Sequence, residues 1–239
     1  MRAIRSLVFY GLFFTWTFIA VVTGLALLPA PRRHTLRLGR VWCRGVLTLL
    51  RRITGIDFEV RGAPPQSAAI IASKHQSSWE TFVFPVLLSM PAYVLKRELT
   101  RIPLLGRCFR KAGHIAVDRT AGASALRPLI RAARAVAAED RPIVIFPEGT
   151  RTPAGQPGQY QPGVSALYLQ LGLPVVPVAL NSGLFWPRRA LLKTPGRIVI
   201  AFLEPIAPGL TRQAFDRELR RRIEEATRSL EAEAMAGRA

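Results

Sequence analysis

The chain predicts an α/β fold: a single domain with a mixed, mostly buried sheet flanked by helices, preceded by a membrane-associated helical segment. Three observations carry this. From Gly55 onward, short β-type runs alternate with stretches of helical periodicity. Several of those runs are continuously apolar, as strands covered on both faces are. The 239 residues are 49% hydrophobic, enough for one sizeable core plus a short extra segment and too apolar for general disorder. The expected division is residues 1–54 as membrane anchor and amphipathic helix, and residues 55–239 as the α/β domain.

The first element is an uncharged run from Leu7 to Leu28, rich in Leu, Val, Phe and Trp. As a helix its length is roughly 33 Å, comparable to a hydrocarbon core of about 30 Å. The basic start at Arg2 and Arg5 also suits a signal peptide, but the run is long and leads into Pro29-Ala30-Pro31-Arg32-Arg33 rather than a small-residue cleavage site. A retained anchor is expected. Next, Arg33, Arg37, Arg40, Arg44 and Arg51 share one helical face, with Leu38, Trp42, Val46, Leu49, Leu50 and Ile53 opposite. This pattern suits a helix at the bilayer interface, arginines toward phosphates and apolar side in the acyl region; its alternative is a helix packed on the domain. Basic residues lying mostly after the first segment favour the cytoplasmic side for the rest of the chain.

The strands are expected at Asp57–Arg61, Ala68–Ala72, Ala92–Leu95, His114–Val117, Pro142–Phe146, Val175–Leu180 and Arg197–Leu203. The helices are expected at Trp79–Leu88, Pro103–Lys111, Gly122–Ala138, Val164–Leu171 and Thr211–Ala234. The loop Thr152–Gln161, with two prolines and two glycines, reads as a gate or a surface excursion. No repeat and no low-complexity linker interrupts the pattern.

The formal net charge is +19, which points to anionic partners: acidic headgroups, an acidic carrier or nucleic acid. Only Lys74, Lys96, Lys111 and Lys193 are lysines, so a bias toward arginine contributes to the excess. Nucleic acid is disfavoured, since no aromatic–basic interleaving and no reader motif is present and the apolar start would go unexplained. Cys43 and Cys108 lack metal-ligand spacing and read as reduced packing residues.

Two short stretches carry the chemistry. In Lys74-His75-Gln76-Ser77-Ser78-Trp79-Glu80, His75 comes after an apolar strand, where open α/β sheets place ligand sites. A neutral imidazole there can take a proton from a hydroxyl. Glu80 can hold the other ring nitrogen, and it also completes a capping box from Ser77. In Phe146-Pro147-Glu148-Gly149-Thr150-Arg151, Arg151 can contact a phosphate in bidentate fashion. Gly149 lets the backbone approach a ligand, and Glu148 can accept from a glycerol-type hydroxyl or brace Arg151. Lys96 and Arg119 end two further strands, so both add positive charge to the same mouth. Serine-hydrolase chemistry is disfavoured by the lack of a G-x-S-x-G elbow.

These blocks, with Val175-Val176-Pro177-Val178 after them, resemble the glycerolipid acyltransferase family, most closely bacterial 1-acylglycerol-3-phosphate acyltransferases. The resemblance runs from about Ile70 to Leu203. It implies transfer of a fatty acyl group from an acyl thioester, on acyl carrier protein or coenzyme A, to the free hydroxyl of a lysophospholipid. It also implies no metal, no cofactor beyond that co-substrate and no covalent acyl-enzyme. In that reading His75 is the base, Glu148, Gly149, Thr150 and Arg151 bind the acceptor, and Arg119 contacts its phosphate. Membrane lipid is the expected surroundings, on the cytoplasmic side of a bacterial inner membrane. Two departures stand out: Glu80 where the family usually has Asp, and Gln159-Tyr160-Gln161-Pro162-Gly163 where it often has lysine. The second leaves room for another lysolipid acceptor, such as a lyso-ornithine lipid. A noncatalytic protein that binds acidic membranes is the competing class.

Overall fold

A computed structural model of the chain describes residues 1–237. Two long helices come first, α1 (Arg2–Ala26) and α2 (Arg32–Leu49), succeeded by a π turn at Leu50–Thr54. The domain then runs β1 (Ile56–Arg61), β2 (Ile70–Ser73), α3 (Trp79–Leu87), β3 (Ala92–Lys96), α4 (Leu105–Ala112), β4 (Ile115–Val117), α5 (Leu126–Ala138), β5 (Ile143–Ile145), α6 (Gly163–Leu171), β6 (Val175–Leu180), β7 (Gly196–Phe202) and α7 (Arg212–Ala236). Every strand and helix expected from the sequence occurs within a few residues of its expected bounds. The clearest shift is α5, expected from Gly122. Gly122 has φ 54° and ψ −131°, which no α-helix accommodates, and the chain makes tighter turns until Leu126.

The strands form one sheet in the order β1-β7-β6-β2-β5-β3-β4. All neighbours are parallel except β6 and β7, so the sheet is mixed. Alternation along the strands separates two cores. Ile71, Val144 and Val178 point to the layer that holds α1, α2 and α3. Ile70, Ile143 and Val175 point to the layer of α5, α6 and α7. These central strands are covered on both faces, which is why they read as continuous apolar runs. Each such side chain contributes about 1.5–3 kcal/mol on burial.

The N-terminal helices join the first of these cores. Phe9 of α1, Cys43 and Val46 of α2 and Leu50 of the π turn are buried in one cluster with Trp79 and Phe84 of α3. The two helices run antiparallel: Trp16 Nε1 donates to Trp42 O at 3.0 Å, and Trp42 Nε1 donates to Thr17 Oγ1 at 3.1 Å. Gly45 permits this crossing, since a Cβ there would sit 2.3 Å from the Trp16 indole nitrogen.

The expected role of α2 changes accordingly. Its apolar side, Val46 and Leu47 included, is packed inside the protein rather than turned to lipid, as is Leu50 of the π turn. Nor is Arg40 on a lipid-facing stripe: it donates to Pro85 O at 2.9 Å and Leu88 O at 2.6 Å, closing the end of α3. Arg51 pairs with Asp57. The outward apolar face belongs instead to α1, where Ile4, Leu7, Val8, Leu12, Phe14, Phe18, Ile19 and Val22 are each 44–74% exposed. By length and composition α1 can cross a membrane.

Candidate active site

Four parallel strands end side by side, and the loops that leave them carry the expected residues. β2 runs into His75, β5 into Glu148–Arg151, β3 ends on Lys96 and β4 leads to Arg119. His75, Lys96, Arg119, Gly149, Thr150 and Arg151 all line one cavity of about 880 Å³. The sheet topology thus assembles at one edge what the sequence spreads over some eighty positions. Behind this charged mouth the walls turn apolar, with Val21 of α1, Leu38 of α2, Pro85 of α3 and Phe109 of α4.

His75 is held from two sides. Its ring stacks on Phe146, with centroids 4.0 Å apart, and its Nδ1 lies 3.0 Å from Glu80 Oε1. Glu80 is fully buried and also accepts from the backbone N–H groups of Gln76 and Ser77 at 2.6 and 2.7 Å. Its second oxygen accepts from Ser77 Oγ and Ser182 Oγ. Burial works to raise the Glu80 carboxyl. The hydrogen bond and charge of His75, with the Ser77 N–H, outweigh it and hold the group below its ordinary range. An ionised carboxylate accepts only, so Nδ1 carries the proton and Nε2 is left as the basic nitrogen.

The capping box and the histidine brace are the same structure. Ser77 Oγ accepts from Trp79 N at 2.8 Å while Glu80 reaches back to Ser77 N. The side chain that starts α3 is therefore also the one that orients the imidazole. One oxygen of Glu80, Oε1, meets both His75 Nδ1 and Ser77 N.

Gly149 has φ +67°, a left-handed conformation that favours glycine. A Cβ on it would come within 3.8 Å of the Arg119 guanidinium, so the two loops meet there. Arg151 Nη1 donates to Ser78 Oγ at 2.8 Å, which places its charge beside the start of α3. Asp118 pairs with Arg97 at 2.6 Å and caps the turn that carries Arg119.

Glu148 does not face the cavity. It is buried, and its oxygens are taken by Lys74 Nζ at 2.6 Å, His75 N at 2.9 Å and Thr152 Oγ1 at 2.8 Å. Burial pushes its carboxyl up, against the opposing charge of Lys74. The expected contacts with a glycerol hydroxyl or with Arg151 are thus replaced by a brace on the His75 backbone. The loop after Arg151 is tied to the same brace rather than poised as a gate. Gly155 N donates to Glu231 and Gln161 N to Pro147 O. Gly158 lies so close to Glu148 that a Cβ would meet Oε1 at 2.5 Å.

Three residues of this brace were not singled out from sequence. Lys74 is 1% exposed and pairs with Glu224 as well as Glu148. Glu231 accepts from Gln76 Nε2 at 2.6 Å. A signal existed: Glu224 and Glu231 are seven apart on α7, on the face that buries Leu219, Ile223 and Leu230. Carboxylates on an apolar helical face call for a buried cation or donor.

A braced imidazole with its free nitrogen at the charged mouth of an apolar cavity has the chemistry to take a proton from an anionic alcohol that carries a hydrocarbon chain. The chain belongs to the acyltransferase family, whose model matches residues 57–181. Over 204 residues it is 37% identical to a 1-acyl-sn-glycerol-3-phosphate acyltransferase of Pseudomonas aeruginosa, covering 84% of this chain and 79% of the relative. A protein of the same description from Limnanthes alba is 32% identical over 193 residues, covering 78% and 68% of the two chains. Among solved structures, the 1-acyl-sn-glycerophosphate acyltransferase PlsC of Thermotoga maritima superposes with a TM-score of 0.74 at 23% identity, over 95% of this chain and 98% of that one. That likeness concerns the fold.

Proposed function

We propose that this enzyme moves a fatty acyl group from an acyl thioester to the free hydroxyl of 1-acyl-sn-glycerol-3-phosphate, giving phosphatidic acid for phospholipid synthesis. The observation that carries the reading is the His75–Glu80 pair opening on the same cavity as Arg119 and Arg151. It is supported by two relatives of that description, each at least 30% identical.

In the mechanism, the acceptor phosphate lies between Arg119 and Arg151, with Lys96 adding charge at the rim. His75 Nε2 takes the proton from the glycerol hydroxyl as the oxygen attacks the thioester carbonyl. Ionised Glu80 stabilises the imidazolium that forms. The tetrahedral intermediate collapses with loss of thiolate, which receives the proton from His75. No residue is acylated, and the thioester is the only co-substrate required. Holding both reactants at one mouth converts a two-body encounter into a local one. The hydrocarbon chains occupy the apolar part of the cavity.

The exposed apolar face of α1 supports a position in one leaflet, with the mouth at headgroup level and the basic surface toward anionic lipid. Since Ser6, Phe9 and Gly24 of α1 are buried against the protein, this position keeps the helix docked, whereas a bilayer crossing would expose them. The cytoplasmic side of a bacterial inner membrane is the matching location. An acidic acyl carrier protein or the phosphates of coenzyme A suit the basic surroundings of the mouth.

The test is to mix purified protein with lysophosphatidate and acyl carrier protein or coenzyme A thioesters, and to identify products by mass spectrometry. Phosphatidate is expected, and its rate of formation should fall by roughly 10²- to 10⁴-fold in His75→Ala. Acylation of another lysolipid in preference to lysophosphatidate would move the assignment to that acceptor. Vesicle binding without any thioester consumption would abolish it.

A further inference from the structure

The apolar part of the cavity is not uniformly apolar. His114, between α4 and β4, lines it and is wedged against two rings, Tyr93 at 5.5 Å and Phe109 at 5.7 Å between centroids. Its Nδ1 accepts from the Tyr93 backbone N–H at 3.2 Å. Burial, with the charge of nearby Arg141, pushes the imidazole down to about 4, so it is neutral. With Nδ1 accepting, the single ring proton sits on Nε2. No protein acceptor meets that N–H among the described residues.

Thr35, on the first turns of α2, lines the same cavity; it is 6% exposed and its hydroxyl has no hydrogen-bond partner among the described residues. Helical threonines usually satisfy the hydroxyl on the carbonyl four residues back. Thr15, Thr23 and Thr54 do so here, on Gly11, Ile19 and Leu50. Thr35 does not. The two elements lie together: a Cβ on Gly113 would meet the Arg32 guanidinium at 3.4 Å, and Arg32 stands one turn before Thr35.

His114 is set back from the chemistry. Tyr93 lies three positions before Lys96 on β3, about 10 Å below the mouth at strand spacing. From His75, contact passes through Phe146 and then Tyr93, whose rings are 6.4 Å apart, before it reaches His114. A headgroup held at Arg119 and Arg151 therefore leaves this depth to hydrocarbon chain. A donor and an unsatisfied hydroxyl beside a saturated chain are a desolvation cost with no return. Beside a chain that bears its own hydroxyl, both are satisfied.

Resting on the acyl-transfer reading, we infer that His114 and Thr35 form a specificity subsite for a hydroxylated acyl chain. His114 Nε2–H donates to the chain hydroxyl, and Thr35 Oγ1 accepts from it. The chemistry is the same whether the hydroxyl is on the incoming acyl group or on the chain already esterified to the acceptor. The subsite takes no part in proton transfer.

Competition assays separate these sources. Full-length protein receives equal amounts of a saturated thioester and its hydroxylated counterpart, with the hydroxyl near the carbonyl or midway along the chain. A second arm places the same pair on lysophosphatidate. Product ratios are read by mass spectrometry. One arm is expected to favour the hydroxylated chain by ~3- to 10-fold, the ratio a neutral hydrogen bond supports. His114→Phe and the near-isosteric Thr35→Val should each bring that ratio toward unity, with turnover of the saturated chain within about twofold of the parent. Thr35→Val keeps the test open should His114→Phe fold poorly. No preference in either arm, or a preference untouched by both substitutions, would overturn the subsite while leaving acyl transfer intact. Failure to acylate with the saturated chain as well would overturn both.

Discussion

At the scale of single residues, the site separates groups that meet substrate from groups that hold them. His75 is expected to be indispensable: His75→Ala should lower turnover by roughly 10²- to 10⁴-fold, with an unchanged circular dichroism spectrum. Arg151→Ala should act mainly through KM for the phosphate acceptor, since its guanidinium lines the cavity while its side-chain partner is Ser78. An unchanged acceptor KM would remove Arg151 from the clamp. Lys74 belongs to the second group. Lys74→Met leaves Glu148 and Glu224 buried without their cation, at a cost of about 3–5 kcal/mol. That is on the order of 10 °C in Tm for a chain of this size, and differential scanning calorimetry would detect it. Glu80 sets an acid limit. Its carboxyl titrates below its ordinary 4.5 in the folded protein. Its contribution is therefore complete above the unfolded value and lost as pH falls through the folded one. Tm measured against pH should show an acid limb that is flatter in Glu80→Gln.

At the scale of elements, most of the fold was legible because each strand or helix states its own period. The continuous apolar runs at Ala68–Ala72 and Val175–Leu180 read as doubly covered strands, and β2 and β6 sit in the middle of the sheet. The active-site mouth was legible for a related reason: in a parallel sheet, the loops leaving the strand ends gather at one edge. What sequence left hidden is pairing at long range. Nothing near Glu148 announces that its partner Lys74 also binds a carboxylate 150 positions away. Likewise, the arginine stripe of α2 has the period of a lipid-facing helix whether or not one member caps α3. The carbonyl of Thr81 illustrates the same point. Pro85 lacks the N–H that would bond it, and Tyr93 Oη supplies the donor at 2.9 Å. The α1–α2 crossing gives a test at this scale. Gly45→Ala should force Trp16 aside and cost about 1–3 kcal/mol, seen as faster proteolysis within α1.

At the scale of the whole molecule, charge and apolar surface act together. With a net charge of +19 and the open face of α1, binding to anionic vesicles should weaken as salt is raised but not disappear. Complete loss at high salt would mean that α1 does not insert. The last helix has a wider consequence. No described residue of α7 lines the cavity, yet Glu224 and Glu231 hold the residues on either side of His75 through Lys74 and Gln76. A shortened protein lacking α7 would keep every residue that lines the cavity, yet would lose Phe215, Leu219 and Ile223 from the core and both carboxylates behind His75. The placement of the imidazole leans on a strut at the back of the molecule, where an engineer trimming for economy would look first.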